Sequence, residues 1–144
     1  MADVAQKPPT VAELVWQREL VFAGRSGQAS VMLDSAGVEG PSPMQALAFG
    51  FAGCMAMDVI YMLRKGRHDI RGCRVELFGE RAQATPHRFL TFDLRFTVSG
   101  NIPPEALDRA IDLSREKYCS VWHSLRQDIN LTVSSSIVMG LPGN

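Results

Sequence analysis

The longest apolar stretch of the chain runs from Ser42 to Gly66 and predicts one long helix. Ser42 is a favourable N-cap residue, and Pro43 suits the first helical position, where its missing N–H costs nothing. Two cations occupy the last turn, where they suit the negative end of the helix dipole. Gly66 then predicts a left-handed residue that ends the helix.

This helix is apolar nearly all round, because only Gln45 and Asp58 are polar between its two ends. Such a helix is either wrapped by protein or placed in a membrane. The apolar run is long enough to span a bilayer, but Asp58 lies inside it, and a charge at that depth costs a few kcal/mol. We therefore predict a core helix covered by a sheet, with no membrane partner. Asp58 is expected to mark where the helix reaches water or a partner.

Period-two alternation of apolar and polar residues predicts strands on both sides of the helix. The clearest alternation covers Phe89–Ser99, and Gly24 to Gly27 predict a hairpin turn that leaves Arg25 projecting from a loop tip. The other predicted strands are Val11–Gln17, Leu20–Ala23, Ser30–Leu33, Ile70–Arg81 and Asn130–Met139.

Two further helices are predicted between the last two strands. One begins at Asn101–Glu105 and runs to about Lys117, and Ser120 is placed to cap a shorter helix over Val121–Gln127. Strands, a long helix, strands, helices and a strand make an α+β arrangement rather than repeated βαβ units. Residues 1–10 are expected to be a flexible tail, and residues 11–144 a single domain.

Composition excludes several classes of function. The 144 residues carry 15 basic and 15 acidic side chains, so nothing favours nucleic acid as a partner. The three cysteines form no CxxC pair and no secretory leader is evident, which favours a reducing, cytoplasmic compartment. Neither the cysteines nor the three histidines show zinc-ligand spacing, so no metal and no cofactor are predicted.

The cysteines are the candidates for chemistry. Cys54 lies in the middle of the apolar helix, and Cys119 lies at a helix break, where unpaired N–H groups would favour a thiolate. Cys73 shares the inward face of its strand with Val75 and is expected to be an inert core thiol. The residues alone leave open whether Cys54 and Cys119 are a redox pair or two unrelated core cysteines, since buried cysteine often behaves as a small hydrophobe. A reactive Cys54 would need a nearby cation, and Arg25 is the candidate.

The segments SPMQALAFGFAGC, MDVIYMLRKGRHDI and EKYCSV resemble the OsmC/Ohr family of thiol-dependent hydroperoxide reductases, in particular its OsmC-like (YhfA-type) branch. The resemblance extends from about Glu13 to Val138. It implies an intertwined homodimer whose long central helices are wrapped by antiparallel β-sheets containing strands from both chains. A partner chain would then cover the apolar helix.

The resemblance also implies roles for individual residues. Cys54 matches the peroxidatic cysteine, Cys119 the resolving cysteine, and Arg25 the arginine of a GRxG turn that steadies the thiolate. The family holds that arginine with a glutamate at the helix start, where this chain has Met44. The neighbouring Gln45 is a neutral candidate for the same contact, which it would make more weakly than a carboxylate.

The function implied is reduction of hydroperoxides in defence against oxidative stress, with organic hydroperoxides as the main substrates and inorganic ones as further substrates. Cys54 would form a sulfenic acid, Cys119 would convert it to a Cys54–Cys119 disulfide, and an external dithiol would reduce that disulfide. The alternative is a non-catalytic dimer of the same fold that binds a small apolar ligand or a protein partner. The absent glutamate favours the alternative, whereas Cys54, Cys119 and Arg25 favour the enzyme.

Overall fold

A computed structural model describes residues 6–141 of the chain. The elements, in chain order, are β1 (Glu13–Arg18), β2 (Val21–Ser26), β3 (Ala29–Asp34), α1 (Pro43–Lys65), β4 (Asp69–Arg81), β5 (Phe89–Asn101), α2 (Pro104–Leu113), a π-helical turn (Ser114–Tyr118), α3 (Ser120–His123) and β6 (Asn130–Val138). This is the predicted α+β arrangement.

The chain divides into two compact units, an N-terminal unit that ends at Leu47 and a C-terminal unit that begins at Ala48. The single domain expected over residues 11–144 therefore stays a prediction. Of the predicted tail, residues 6–10 are exposed and belong to no helix or strand, while residues 1–5 lie outside the described residues.

The N-terminal unit is a three-stranded antiparallel sheet in the order β1-β2-β3. The hairpin loop predicted over Gly24 to Gly27 was wrong, because β2 continues to Ser26 and the chain turns at Gly27, whose φ is +58°. Gly24 belongs to the central strand instead. A Cβ there would lie 2.9 Å from Leu14 Cδ2, so glycine makes room for a neighbouring side chain rather than for a turn.

Helix α1 begins with a capping box. The backbone N–H of Gln45 donates to Ser42 Oγ at 3.2 Å, and the backbone N–H of Ser42 donates to Gln45 Oε1 at 2.9 Å. Two donors that the helix leaves without an intrahelical partner are thus satisfied reciprocally. The predicted start of the helix at Ser42 and Pro43 is confirmed.

Helix α1 ends in a Schellman motif, and the left-handed residue is Arg67 rather than Gly66. The N–H of His68 bonds to the carbonyl of Leu63 at 3.0 Å, and the N–H of Arg67 bonds to that of Arg64 at 2.9 Å. These bonds place Arg67, with a φ of +62°, at the position that glycine normally takes. The expected left-handed Gly66 was therefore wrong by one residue.

The C-terminal unit is built on a three-stranded sheet in the order β4-β5-β6. Strands β4 and β5 are antiparallel, whereas β6 runs parallel to β5 after the α2–α3 crossover. The sheet is therefore mixed, and the expectation of antiparallel sheets was wrong for β6. A register shift near one end leaves Leu90 as an extra residue between Phe89 and Thr91. Because of this bulge, Phe89 is buried and Leu90 is exposed, which reverses the alternation that the sequence predicts there.

The core of this unit lies between α1 and the central strand β5. Helix α1 buries Phe51, Met55, Val59 and Leu63, which recur every fourth residue and form one stripe. The Phe51 ring lies 5.0 Å from the Phe92 ring of β5 and 5.4 Å from the Trp122 ring of α3. Strand β5 contributes the other fully buried side chains of its inward face, namely Phe92, Leu94, Phe96 and Val98.

The opposite face of α1 is apolar and uncovered. Phe49, Met57 and Tyr61 expose 69%, 73% and 65% of their surface. In the described residues, α1 is also the one helix that is long and apolar enough to cross a membrane, a test of length and composition that core helices of soluble proteins also pass. Among the described residues, the C-terminal unit buries only one side of α1.

Candidate active site: two thiols and a carboxylate

Two of the three cysteines meet in the C-terminal unit. Cys54 and Asp58 lie four residues apart on α1, so their side chains share one face of the helix. Cys119 reaches the same place from the junction between the π-helical turn and α3. The two Sγ atoms and an Asp58 carboxylate oxygen all lie within 4.8 Å of one another, and all three cysteines are free thiols.

Cys119 is placed by the helix break that the sequence predicted. The π-helical turn ends at Tyr118, and Cys119 adopts an extended conformation before α3 begins at Ser120. Its Sγ accepts a hydrogen bond from the backbone N–H of Trp122 at 3.3 Å, so Cys119 itself is the N-cap. The expected cap at Ser120 was wrong, and the helix is shorter than predicted, since it ends at His123.

Burial has a larger effect on the pKa of Cys119 than the hydrogen bond at the helix cap. Its side chain is fully buried, and this desolvation is the main reason that the pKa of the thiol is raised to about 12. The Trp122 N–H favours the thiolate, but the hydrogen bond and charge of Cys54 and the charge of Asp58 oppose it. The expected effect of a free N–H group at the helix start is therefore present, but desolvation of the buried sulfur is larger, and the net shift of the pKa is upward.

Asp58 faces the thiols and is held by a residue that the sequence did not single out. Ser114 is fully buried, and its hydroxyl donates to Asp58 Oδ2 at 2.8 Å. The carboxylate therefore does not simply mark where the helix reaches water. A single acidic residue in an apolar helix indicated that Asp58 has a specific role. Its partner Ser114 lies 56 residues away in the chain, so the sequence spacing could not predict the contact.

Cys73 lies apart from this cluster, on β4 opposite Val98. Together with Val75 it lines an apolar groove beside the exposed face of α1. The thiol is half-buried, and desolvation raises its pKa. Cys73 lies on the predicted inward face of its strand, but the expected core position was wrong, because the residue is only half-buried and lines the groove. Its inertness stays a prediction.

Arg25 lies in the N-terminal unit, whereas both clustered thiols lie in the C-terminal unit. It is a residue of β2, paired with Ser30 and Glu13 on the neighbouring strands, so the predicted loop tip was wrong. Its side chain is 73% exposed, and one guanidinium nitrogen lies 3.9 Å from a Glu13 carboxylate oxygen. A contact this exposed and this long holds the guanidinium only loosely.

Gln45 has a structural partner within α1. Its side-chain oxygen accepts the Ser42 N–H in the capping box, which is the contact that a glutamate would make at this position of the box. Met44, at the position where the family resemblance calls for glutamate, is half-buried and brings no charge. The proposed Gln45 contact with Arg25 stays a prediction.

The chain matches a known protein family and a member of that family. The model of the OsmC-like protein family matches residues 35–134. Protein YhfA of Escherichia coli K12 is 39% identical over 130 residues, which cover 88% of this chain and 97% of YhfA. This identity is high enough, over nearly the whole of both chains, to indicate common ancestry as well as a common fold.

Solved structures agree with the sequence comparison. A hypothetical protein from Aquifex aeolicus superposes with a TM-score of 0.86 at 24% identity, covering 94% of this chain and 100% of that chain. An organic hydroperoxide resistance protein OsmC from Legionella pneumophila gives 0.68 at 12% identity, covering 92% and 99%, which shows a shared fold alone. From the matched family model and the YhfA identity, we conclude that the chain belongs to the OsmC-like protein family.

Proposed function

We propose that the protein is a thiol-dependent peroxidase that reduces organic hydroperoxides. The observation that carries the proposal is the approach of two free thiols, Cys54 and Cys119, with Sγ atoms no more than 4.8 Å apart. A disulfide would require the two sulfurs to close from this separation to about 2 Å. Family membership and the shared fold with a hydroperoxide resistance protein support the same chemistry.

The reaction needs three steps. The Cys54 thiolate attacks one peroxide oxygen, the O–O bond breaks, and the alkoxide leaves as alcohol after taking a proton, so that Cys54 becomes a sulfenic acid. The Cys119 sulfur then attacks the Cys54 sulfur, and the hydroxyl leaves as water with the Cys119 proton. An external dithiol reduces the resulting disulfide by thiol–disulfide exchange.

The environments of the two thiols support this division of roles. Cys54 is only half-buried, so a peroxide can reach it. Cys119 is fully buried, and its pKa of about 12 keeps it protonated, which makes it a poor first nucleophile. Cys119 suits the second step, in which its sulfur needs to reach only Cys54. Asp58 lies beside both sulfurs and is the nearest base for the proton released there.

A cation would help Cys54 to ionise beside the negative Asp58. We assign this role to Arg25, whose exposed guanidinium makes a long contact with Glu13. Gln45 has a smaller role, since its oxygen caps α1. In this scheme, replacing Arg25 by alanine slows the first step, and replacing Gln45 has a milder effect.

The proposed enzyme is a cytoplasmic homodimer. The uncovered face of α1 supports dimerisation, because three large apolar side chains on one helix are each more than 60% exposed in a single chain. Exposed apolar surface on this scale usually marks an interface. The substrates proposed are organic hydroperoxides and a small or protein dithiol.

Mass spectrometry after one equivalent of an organic hydroperoxide tests the proposal. The wild type should form a Cys54–Cys119 disulfide and lose two hydrogens. Cys54→Ser should leave the peroxide unconsumed, and Cys119→Ser should react once and leave a trappable sulfenic acid on Cys54. Cys73→Ser is the matched control and should behave as the wild type. Two untouched thiols in a folded wild-type protein would rule the peroxidase out.

The second candidate is a non-catalytic dimer that binds a small apolar ligand or a protein partner. Two observations favour it: Met44 replaces the family glutamate, and a groove of about 1070 Å³ runs along α1 beside β4. Most of the groove lining is apolar, including Phe49, Met57 and Val75. Untouched thiols together with saturable binding of an apolar fluorescent probe would support this candidate.

A further inference from the structure

We propose that the reduced cluster of Cys54, Asp58 and Cys119 is also a binding site for a thiophilic divalent metal ion, Zn²⁺. Spacing along the chain does not indicate such a site, because Cys54 and Cys119 are far apart in the chain and Asp58 does not belong to a cysteine or histidine pattern. The fold brings these three ligands together in the C-terminal unit. Thiolate sulfur and carboxylate oxygen are both established zinc ligands.

The separations fit a tetrahedral site after a small adjustment. Zinc–sulfur bonds of about 2.3 Å place two ligand sulfurs roughly 3.8 Å apart. The ligand atoms here lie within 4.8 Å of one another, so each needs to move by less than about 1 Å. Cys54 and Asp58 are held at the right spacing by one turn of α1, and only Cys119 approaches from another element.

The surroundings of the ligands resemble those of built metal sites. The Ser114 hydroxyl donates to Asp58 Oδ2, which fixes the orientation of the carboxylate and leaves its other oxygen for a metal. The Trp122 N–H donates to Cys119 Sγ and orients the sulfur. Metal ligands are commonly held by such outer hydrogen bonds, and loss of one typically weakens metal affinity 10- to 100-fold.

Charge gives a further reason. When both sulfurs bind as thiolates, the three ligands bring three negative charges into one partly buried space. Within residues 6–141, none of the ion pairs that the structure contains involves Asp58. A divalent cation offsets most of this charge, and three protein ligands leave a fourth position for water or another ligand. Cys54 and Asp58 are half-buried rather than closed off, so an ion can reach the site.

Binding would be a reversible exchange of protons for metal. Each thiol releases its proton to the solvent as its sulfur bonds to Zn²⁺, and no oxidation occurs. With both sulfur atoms coordinated, Cys54 is not available to attack a peroxide. This inhibition rests on the proposed peroxidase function, whereas metal binding itself does not.

A titration of the reduced, full-length protein with Zn²⁺ against a chromophoric chelator tests the inference. We expect one Zn²⁺ per chain in the wild type and in Cys73→Ser, the control that removes a thiol outside the cluster. Stoichiometric binding should be lost in Cys54→Ser and in Cys119→Ser. Ser114→Ala should weaken binding about 10- to 100-fold, because Asp58 loses its orienting bond. Circular dichroism verifies that each variant is folded.

Co²⁺ provides a spectroscopic readout that does not depend on peroxide chemistry. Sulfur-to-cobalt charge-transfer bands in the ultraviolet should appear in the wild type and weaken when either clustered cysteine is replaced. Wild-type protein that holds no stoichiometric metal would overturn the inference, as would full binding by folded Cys54→Ser and Cys119→Ser. Zinc binding by a protein whose thiols ignore peroxide would refute the peroxidase and leave the metal site standing.

Discussion

A single carboxylate organises the loop between β3 and α1. Asp34 is buried at the end of β3, and its side-chain oxygens accept the backbone N–H groups of Ala36 at 2.9 Å, Val38 at 3.3 Å and Glu39 at 3.0 Å. These bonds favour the charged form and hold the pKa of Asp34 below its ordinary value of 3.8, with the Glu39 N–H as the largest cause. One side chain thus satisfies three backbone N–H groups in a loop that belongs to no helix or strand.

The pH dependence of the free energy of unfolding should reveal the contribution of the Asp34 carboxylate. Since the folded-state pKa is lowered, the contribution of Asp34 is fully present above its unfolded pKa and is lost as the pH falls through the folded pKa. The difference in free energy of unfolding between the wild type and Asp34→Asn should be largest near pH 6 and shrink below about pH 4. Urea unfolding at several pH values measures it. A difference that stayed constant down to pH 2 would contradict this role.

The candidate site shows which residue roles the sequence could predict. Cys54 and Cys119 were found because two short motifs resemble those of a known family. Ser114 was missed because serine near a helix end is common and nothing in its spacing indicates Asp58 as its partner. The raised pKa of Cys119 was not predicted, because its position at a helix start is visible in the sequence, whereas its complete burial is a tertiary property.

At the scale of elements, the end of α1 offers a test of backbone strain. Arg67 has a φ of +62°, a conformation that costs a residue with a Cβ roughly 1–2 kcal/mol. Arg67→Gly should raise the free energy of unfolding by about 0.5–1 kcal/mol, since part of the gain is offset by the greater freedom of glycine in the unfolded chain. Arg67→Ala keeps the Cβ and serves as the control, with little change expected. Equal stability of the two variants in urea would show that the strain is absent.

Local sequence signals predicted the positions of most helices and strands. They predicted neither the relative direction of the strands nor the positions of some turns. The cap at Ser42 and the alternation along β5 are local signals, so both elements lie where the sequence predicts. Alternation carries no direction, which is why the parallel pairing of β6 with β5 was not foreseen. Gly24 suggested a turn because glycine permits one, yet the residue serves to make room for Leu14.

At the scale of the whole molecule, the uncovered face of α1 should govern assembly. Met57 is 73% exposed at the middle of that face, so Met57→Glu should place a charge in the proposed dimer interface and weaken association at least tenfold, or about 1.4 kcal/mol. Met139→Glu is the matched control, since Met139 is fully exposed outside α1. Sedimentation over a range of micromolar concentrations measures both. A wild-type protein that is a folded monomer there would overturn the dimer.

The hydrogen bond between the Trp122 amide and Cys119 Sγ has an optical consequence. Trp122 is buried with its indole ring 5.4 Å from Phe51, while its own backbone anchors the sulfur that the proposed disulfide would redirect. Each formation of the Cys54–Cys119 disulfide should therefore alter the fluorescence of this indole. The chain has one other tryptophan, Trp16, so Trp16→Phe leaves a single emitter and Cys119→Ser in that background gives the silent reference. Stopped-flow emission could then follow the proposed catalytic cycle in real time without an added dye.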